Sequence, residues 1–503
     1  MKSSFTFCLN AIVGFIKGQQ PTDGPLFRFV GFMALAMMLA GAVSRGAGSV
    51  ERPSNTDVAS LLRQLPKGSQ QNDSVTISRV AAFYAHSSYT PVWTSPSGAT
   101  PEARAAVSLL KGAARFGLKP AEYRAAGLAA LLDSLGTVDE QSLARRVRAE
   151  QQLSEAVLHF VQHLHEGRIT NSELRTAPLA GAPSFDAVAH LQRALGSGRL
   201  VPVLLEAQPA SRSYVRLLSA WQRMLDKDSV GAQRTALAVA INLERLRWEP
   251  RADSLYLAVN IPSYTLQVVR GARVAASHRV VVGKVASPTP GLYSRVTFFQ
   301  TAPEWRVPQS IAANEMLPKL RKDAGYLDDR GFELYNAAGR LVNPYRVDWD
   351  AVQPETFPYT IRQAPSAENA LGEVVFRFAN PFAVYMHDTP AKAAFRANAR
   401  ALSHGCIRVE KPLELARFLL ERDGKNAADR LEDLQNSLDA GHTKEFGLQA
   451  PVPLLVRYLT CEADGDQLRQ LPDIYGRDLA LSQAWQDAPT TPLAPVTAVL
   501  ALR

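Results

Sequence analysis

Cysteine is scarce in this chain, whose 503 residues include only Cys8, Cys406 and Cys461. The paired-cysteine spacing that structural zinc sites usually show is absent. In an oxidising compartment, Cys406 and Cys461 would either form a disulfide or leave one of them as a working thiol. Because a disulfide would block the reactive cysteine identified below, the sequence favours a free Cys406 and a structural role for Cys461.

The sequence also lacks runs dense in Lys and Arg, and it lacks basic patches interleaved with aromatic residues. We therefore expect no nucleic-acid partner. The net charge of +9 is mildly basic and would also suit anionic polymers of the cell envelope. A hydrophobic content of 46% and a charged content of 20% are ordinary for a globular protein, and the length allows two or more domains.

No apolar run reaches the length of a typical membrane-spanning helix. The run from Phe29 to Val43 has about fifteen residues, against about twenty for a bilayer span. Arg28 precedes it, and small residues at 40–42 and 46–48 follow. This pattern predicts a signal peptide, with a retained signal anchor, and hence membrane association, as the alternative. In both cases the rest of the chain lies outside the cytoplasm.

The distribution of apolar residues predicts an α+β protein. Helical three-to-four spacing occurs at 103–114, 142–165 and 214–224. After residue 254, short β-rich runs separated by turn signals predict a mostly-β, sandwich-like or barrel-like sheet. This pattern of short β-rich runs is interrupted between about residues 305 and 365.

The segment from Met386 to Val409 carries the chemistry. It begins Met386-His387-Asp388-Thr389-Pro390 and ends Ser403-His404-Gly405-Cys406-Ile407-Arg408-Val409. His387 precedes Cys406 by 19 positions (406 − 387). An imidazole and a thiol this close in sequence can meet if the chain between them loops back, and that pairing makes a cysteine nucleophilic.

The flanking sequence supports a catalytic loop. The runs 374–378 and 383–386 flank the turn signal at 380–381, which predicts a β-hairpin that delivers His387 at a strand end. Pro412 suits the first turn of a following helix. Gly405 lets the backbone turn tightly, so we expect the N–H groups of Gly405 and Cys406 to serve as an oxyanion hole.

These motifs resemble the signature of the L,D-transpeptidase catalytic domain, in which a His is followed at a distance by Ser-His-Gly-Cys-Ile-Arg. The match extends over Asn369-Ala370-Leu371-Gly372 and the Pro412 helix, and it resembles the large, periplasmic branch of the family. The resemblance implies attack of the cysteine on the third residue of a peptidoglycan stem peptide, release of the terminal D-alanine and formation of 3→3 cross-links. It implies no metal or organic cofactor.

Roles follow from the resemblance, position by position. Cys406 would be the nucleophile, His387 the proton acceptor and donor, and the backbone carbonyl of Asp388 the group that orients His387. The residues expected to shape the oxyanion and substrate-binding region are Ser403, His404, Gly405, Arg408 and Tyr385.

The resemblance also implies a domain order. The expected parts are a signal peptide or anchor (1–48), a helical scaffold domain (49–250), a catalytic domain (251–440) with a cap insertion at about 305–365, a C-terminal strand and loop (441–487) and a flexible tail (488–503).

Several alternatives stay open at this point. Cys406 could be a small buried hydrophobic residue, or His387, His404 and Cys406 could bind zinc. His159 and His163 have a spacing that could hold a metal. The same cysteine could serve an L,D-carboxypeptidase or cross-link hydrolase, in which water replaces the acceptor amine. From another class, the chain could be a non-catalytic wall-binding scaffold.

Overall fold

The computed structural model of the chain describes residues 51–65, 74–175, 185–250, 253–424 and 426–487. The predicted signal segment and the predicted C-terminal tail lie outside these ranges. Within them, every helix is too short or too polar to cross a membrane. The described residues form two compact units, one of 51–166 and 185–208 and the other of 167–175 and 209–487.

The first unit is helical. Its helices are α1 (Asn55–Leu62), α2 (Ser74–His86), α3 (Pro101–Lys111), α4 (Ala125–Ser134), α5 (Ser142–Glu166), α6 (Ala187–Gly196) and α7 (Leu200–Leu205). The two short strands β1 (Thr94–Ser95) and β2 (Gly98–Ala99) pair between α2 and α3. The helices predicted over 103–114 and 142–165 are confirmed by α3 and α5.

The central helix of this unit is α5, whose apolar stripe is fully buried at Leu153, Val157 and Val161. On the same helix the Glu150 carboxylate is buried, and burial raises its pKa. Its Oε1 accepts the backbone N–H groups of Trp93 at 3.0 Å and Thr94 at 2.7 Å. A buried charge is tolerated only when it is hydrogen-bonded in this way, so Glu150 fixes the β1 segment on α5.

The second unit is built around a mixed sheet. Its strands are β3 (Leu255–Asn260), β4 (Thr265–Arg270), β5 (Arg273–Gly283), β6 (Leu292–Thr301), β11 (Val374–Phe378), β12 (Met386–His387), β13 (Ala401–Ser403), β14 (Ile407–Val409) and β15 (Lys444–Arg457). Their order is β13-β5-β14-β12-β11-β6-β15-β3-β4, and β4 also pairs with β5.

The long strand β5 closes this sheet on itself. Its first part pairs with β4, from Arg273 opposite Arg270 to Arg279 opposite Thr265. Its last part pairs with β14, where Val281 lies opposite Arg408. The predicted mostly-β domain is therefore confirmed, in a closed, barrel-like form.

Helices and a small hairpin complete the sheet domain. The helices are α8 (Arg212–Lys227), α9 (Ser229–Arg247), α12 (Pro412–Glu421), α13 (Ala427–Asp439) and α14 (Arg477–Asp487), and the hairpin is β16 (Cys461–Asp464) with β17 (Gln467–Gln470). The predicted helices at 214–224 and at Pro412 are confirmed by α8 and α12.

The predicted scaffold domain extends to residue 250, whereas α8 and α9 belong to the second unit. The reason lies in side-chain contacts of α9. Asn242 donates from Nδ2 to the Thr460 hydroxyl at 2.9 Å and accepts the Thr460 backbone N–H at 2.8 Å. Apolar residues of both helices also share a core cluster with Cys461.

The segment between β6 and β11 forms the cap, here defined as residues 305–363. It contains the four-stranded sheet β7-β10-β8-β9, from strands β7 (Trp305–Arg306), β8 (Phe332–Tyr335), β9 (Leu341–Val342) and β10 (Thr360–Gln363). The helical segment of the cap consists of α10 (Gln309–Ile311), a π-helical turn (Ala312–Met316) and α11 (Leu317–Leu320). The cap has its own apolar core, which includes Met316, Leu320, Leu334 and Ile361.

The hairpin before His387 differs from its prediction in one detail. The strand expected from residue 383 begins only at Met386. Asn380 is the cause, because its Oδ1 accepts the Val384 N–H at 3.1 Å and its Nδ2 donates to the Val384 carbonyl at 2.7 Å. Ala383 also has a positive φ of 53°. This segment is therefore a loop that the Asn380 side chain closes by hydrogen bonds, rather than a strand.

Candidate active site

One residue from each of three neighbouring strands points into the sheet core, and together these residues form a row. β11 pairs antiparallel with β12, which places Phe376 opposite Met386, and β12 pairs parallel with β14, which places Met386 opposite Ile407. All three side chains are fully buried in the sheet core. Because successive residues of a strand point to opposite faces, the residues on either side of this row point away from that core.

The face opposite the core carries the candidate catalytic groups. His387 lies opposite Arg408 in the strand register. The ring centroids of Tyr385 and His387 are 5.5 Å apart, and Cζ of Arg377 lies 4.7 Å from the Tyr385 ring centroid. Cys406 directly precedes β14 and interacts with Tyr385. The structure thus brings four predicted residues together and adds Arg377, which the sequence reasoning missed.

His387 is buried and held in one tautomer. Its Nδ1 lies 2.5 Å from the backbone carbonyl oxygen of Asp388. A carbonyl oxygen can only accept, so Nδ1 carries the proton and Nε2 presents its lone pair. Burial lowers the pKa of His387 to about 3, helped by the charges of Arg408 and Arg377 and opposed by the Asp388 hydrogen bond. The imidazole is therefore neutral at physiological pH.

The Asp388 carboxylate has a different task. It is buried, its Oδ2 accepts the Glu373 backbone N–H at 3.0 Å, and its Oδ1 pairs with Lys392 Nζ. Gly372 makes room for it, because a Cβ there would lie 2.4 Å from Oδ2. The carboxylate thus anchors the chain at Asp388, while the Asp388 carbonyl orients His387.

The Cys406 thiol is half-buried, and burial raises its pKa. Hydrogen bonds from the Tyr385 backbone and hydroxyl act in the opposite direction, as do the charges of Arg377 and Arg408. Among the described residues, no hydrogen bond joins this thiol to His387. At rest the site therefore holds a neutral thiol beside a neutral imidazole on one face of the sheet.

The loop before Cys406 is closed by Ser403. The Ser403 hydroxyl donates to the Cys406 carbonyl at 2.6 Å and accepts the Gly405 N–H at 3.2 Å. Gly405 has a φ of 114°, which a residue with a Cβ rarely adopts. The Gly405 N–H, expected in an oxyanion hole, is therefore engaged within the turn. The Cys406 N–H has no acceptor among the described residues and is the donor that the turn leaves for a ligand.

Two residues that the sequence reasoning missed support this turn from behind. The buried Thr289 hydroxyl donates to the Gly405 carbonyl at 2.8 Å and accepts the Gly283 N–H at 2.9 Å. The Tyr475 hydroxyl donates to the Gly283 carbonyl at 2.5 Å and accepts the Thr289 N–H at 3.2 Å. Thr289 is 116 positions from Gly405, and Tyr475 is 192 positions from Gly283. No local motif could therefore reveal them.

His404 faces the cap rather than the thiol. Its Nε2 lies 2.5 Å from Oε1 of Glu315, in the π-helical turn, and 3.2 Å from Nζ of Lys284. Lys284 Nζ is also 3.7 Å from Glu315 Oε1. The residue expected to shape the substrate pocket therefore connects the catalytic loop to the cap.

Trp305 and Tyr326 are aromatic residues of the cap. Trp305 interacts with the Tyr385 hydroxyl, which also contacts the Cys406 thiol. Tyr326 instead lies under Arg330, whose Cζ is 4.3 Å from its ring centroid. Of this pair, therefore, only Trp305 contacts the Tyr385 hydroxyl that lies beside the thiol.

The metal hypotheses find no support in the geometry. Across the described ranges, no group of three or more His, Cys, Asp or Glu side chains is placed to hold a metal ion. In the scaffold helix α5, His159 and His163 stack at 6.0 Å, and His163 Nδ1 lies 2.9 Å from the Tyr123 hydroxyl. Cys406 and Cys461 are both free, and burial raises the pKa of Cys461 to about 12.

Comparisons with known proteins agree with this architecture. Residues 78–220 match the Scaffold domain, and residues 254–428 match the L,D-transpeptidase catalytic domain of the YkuD type. A Haemophilus influenzae protein, provisionally named an L,D-transpeptidase, is 28% identical over 411 residues, which is 80% of this chain and 79% of that protein.

Among solved structures, two L,D-transpeptidases match this chain with low TM-scores. The Mycobacterium smegmatis enzyme is 12% identical with a TM-score of 0.18, and the match covers 41% of this chain and 58% of that one. For Mycobacterium tuberculosis L,D-transpeptidase 1 the identity is 12% and the TM-score 0.16, over 42% of this chain and 64% of that one.

Fold and site together define a two-part α+β protein that carries a cysteine and a histidine on one face of a closed sheet. The chain carries a YkuD-type L,D-transpeptidase catalytic domain, preceded by a Scaffold domain. It is an enzyme of the transpeptidase type, and its family acts on peptidoglycan peptides.

Proposed function

We propose that this protein forms 3→3 cross-links in peptidoglycan through an acyl-enzyme on Cys406, with release of the terminal D-alanine. The observation that carries this proposal is the neutral His387, whose Nδ1 proton is held by the Asp388 carbonyl. The free lone pair on Nε2 is on the same sheet face as the thiol, which is what a general base needs.

In the first step, Cys406 Sγ attacks the carbonyl carbon of the third stem residue while the thiol proton moves to Nε2 of His387. The carbonyl oxygen becomes an oxyanion, for which the Cys406 N–H is the available backbone donor. The intermediate collapses when the carbon–nitrogen bond breaks, and His387 returns the proton to the departing D-alanine amine. The product is a thioester on Cys406.

In the second step, the amine of another stem peptide attacks the thioester carbonyl. His387 accepts a proton from this amine, the carbon–sulfur bond breaks, and the proton returns to the thiolate. Cys406 and His387 thus end in their starting states, and one peptide bond has replaced another. No external oxidant, reductant or energy source is required.

Proton transfer has to accompany bond formation in this site. The thiol pKa is raised and that of His387 is lowered, so a resting thiolate–imidazolium pair is disfavoured. Catalytic hydrogen bonds are often absent in free enzymes and form only when substrate binds. We propose that donor binding displaces the Tyr385 hydroxyl from the thiol and turns Sγ toward His387.

A carboxypeptidase or cross-link hydrolase would use the same acyl-enzyme with water as the acceptor. Contact of the cap with the catalytic loop through Glu315 and His404 favours transfer, because a closed cap excludes water from the thioester. We further propose export to the periplasm, based on the signal sequence predicted in the first 48 residues. Retention of that segment would attach the enzyme to the membrane.

Incubation of the purified protein with tetrapeptide muropeptides separates the candidates. The proposal predicts cross-linked dimers together with free D-alanine. Tripeptides without dimers would identify the hydrolase, and unchanged substrate would identify the non-catalytic scaffold. Cys461→Ala is a matched cysteine control, because Cys461 is fully buried in a different cluster, and it should keep the wild-type products.

A further inference from the structure

Two guanidinium groups flank the candidate nucleophile. Arg377 stacks over the Tyr385 ring, and Arg408 lies opposite His387 in the strand register. The charges of both arginines act on Cys406 and on His387. Both side chains are partly exposed, so a ligand in front of the thiol can reach them.

These two arginines differ from Arg245 and Arg457 of the same unit. Arg457 pairs with Glu249 at 3.3 Å, and Arg245 pairs with Asp478 at 2.6 Å. By contrast, no carboxylate among the described residues forms an ion pair with Arg377 or Arg408. The Nε atoms of Arg408 and Arg457 are both buried without a hydrogen-bond acceptor, so the difference lies in the missing carboxylate partner. Two guanidinium groups without a carboxylate partner, both beside the candidate nucleophile, are available to pair with a carboxylate of a ligand.

We propose that Arg377 and Arg408 bind a carboxylate of the acyl-donor peptide and make that free carboxylate a requirement for efficient reaction. This inference rests on the proposed function, since it concerns the substrate of the same site. A guanidinium group suits this ligand because its planar N–H donors match the two oxygens of a carboxylate. A donor peptide without this carboxylate would leave the two guanidinium groups without an ion-pair partner, as they are in the free protein.

Two carboxylates of a donor stem peptide have this chemistry. One is the terminal carboxylate of the leaving residue, which is three covalent bonds from the scissile carbonyl carbon. The other, in a donor whose third residue is acidic, is the carboxylate on the side chain of that residue. Each can be replaced separately by a carboxamide, which removes the charge and keeps the shape. Comparison of the two amides with the parent acid therefore identifies the bound group.

A competing role must be distinguished. Both arginines could act only by stabilising negative charge on sulfur, which would favour reaction with every donor alike. In that case Arg377→Gln would slow acid and amide donors by the same factor. A carboxylate-binding role changes the ratio between acid and amide, because only the acid loses an interaction. The discriminating quantity is this ratio.

The binding experiment uses full-length protein carrying Cys406→Ala, so that no turnover occurs, and titrates it with the acid tetrapeptide and its two amides. We expect the acid to bind about 10- to 100-fold more tightly than one of the amides, the range of a charged hydrogen bond. Adding Arg377→Gln or Arg408→Gln should reduce the ratio to about threefold or less. Arg270→Gln, at the exposed end of β4, should leave it unchanged.

Turnover of the same donors by protein that retains Cys406 tests the proposed function separately. Release of the C-terminal residue should show the same acid-to-amide ratio in kcat/KM. Equal binding of acid and both amides, or a ratio that survives both arginine substitutions, would overturn the carboxylate site even if turnover is normal. A preserved binding ratio without any turnover would instead refute the proposed function and support the site. If Arg408→Gln fails to fold, Arg377→Gln alone decides the outcome.

Discussion

The position of His387 depends on a glycine that does not touch it, and this dependence can be tested. Gly372 has a φ of 61°, and a Cβ there would lie 2.4 Å from Oδ2 and 2.6 Å from Cβ of Asp388. Gly372→Ala therefore forces Asp388 to move. Because the Asp388 carbonyl holds Nδ1 of His387, the imidazole must move with it.

The cost of this substitution has two parts. Alanine at positive φ costs about 1–2 kcal/mol. Displacing the Asp388 carboxylate from the Glu373 N–H adds roughly 1–3 kcal/mol. We therefore expect the free energy of unfolding to fall by roughly 2–5 kcal/mol. A misplacement of His387 by about 1 Å should also lower kcat about 100-fold.

A matched substitution separates steric displacement from backbone strain. Gly271 has a similar φ of 57°, and a Cβ there would meet no atom within 4 Å. Gly271→Ala should therefore cost only the strain of about 1–2 kcal/mol and leave kcat unchanged. Urea unfolding and D-alanine release measure the two effects. If Gly372→Ala behaves like Gly271→Ala in both assays, the anchoring role of Asp388 is refuted.

Three further predictions concern the catalytic loop, His387 and the cap. Thr289→Val removes a buried hydroxyl that bridges two backbone groups, so urea unfolding should show a loss of about 1–3 kcal/mol; an unchanged stability would exclude the bridge. His387 has a folded pKa near 3, below its ordinary 6.5, so its stabilising contribution is present above pH 6.5 and is lost as pH falls toward 3. The unfolding free energy of His387→Gln should therefore fall less steeply over this interval than that of wild type, and parallel curves would contradict the lowered pKa. Glu315→Gln weakens an exposed contact with His404, so it should change stability by less than about 1 kcal/mol while raising the ratio of tripeptide to dimer product, and an unchanged ratio would argue against the cap as a barrier to water.

Much of the fold could be predicted because the relevant signals are local. The β-rich run Val374–Phe378 and the turn signal at Asn380 predict the hairpin that carries His387. The Asn380 side chain, however, competes for the backbone of Val384, and this shortens the second strand. Propensity alone cannot reveal such competition, because it depends on how one side chain folds back on its own loop.

The missed residues of the site are those whose partners are distant in sequence. Thr289 bonds to Gly405 across 116 positions, and Glu315 meets His404 across 89. Arg377 carried a local signal, a single charge in an apolar strand. Its meaning emerges only when the strand register places it beside Tyr385 and the thiol. Strand pairing, which is a tertiary property, therefore decides which charges become part of the site.

The proposed function depends on an acyl group carried by Cys406. This group can be detected by intact-protein mass spectrometry after incubation with a tetrapeptide donor, followed by peptide mapping. We expect an adduct of the tripeptide acyl group on Cys406 in wild type and in Cys461→Ala, and neither adduct nor D-alanine release in Cys406→Ala. Undiminished D-alanine release by Cys406→Ala, or an adduct on another residue, would contradict it.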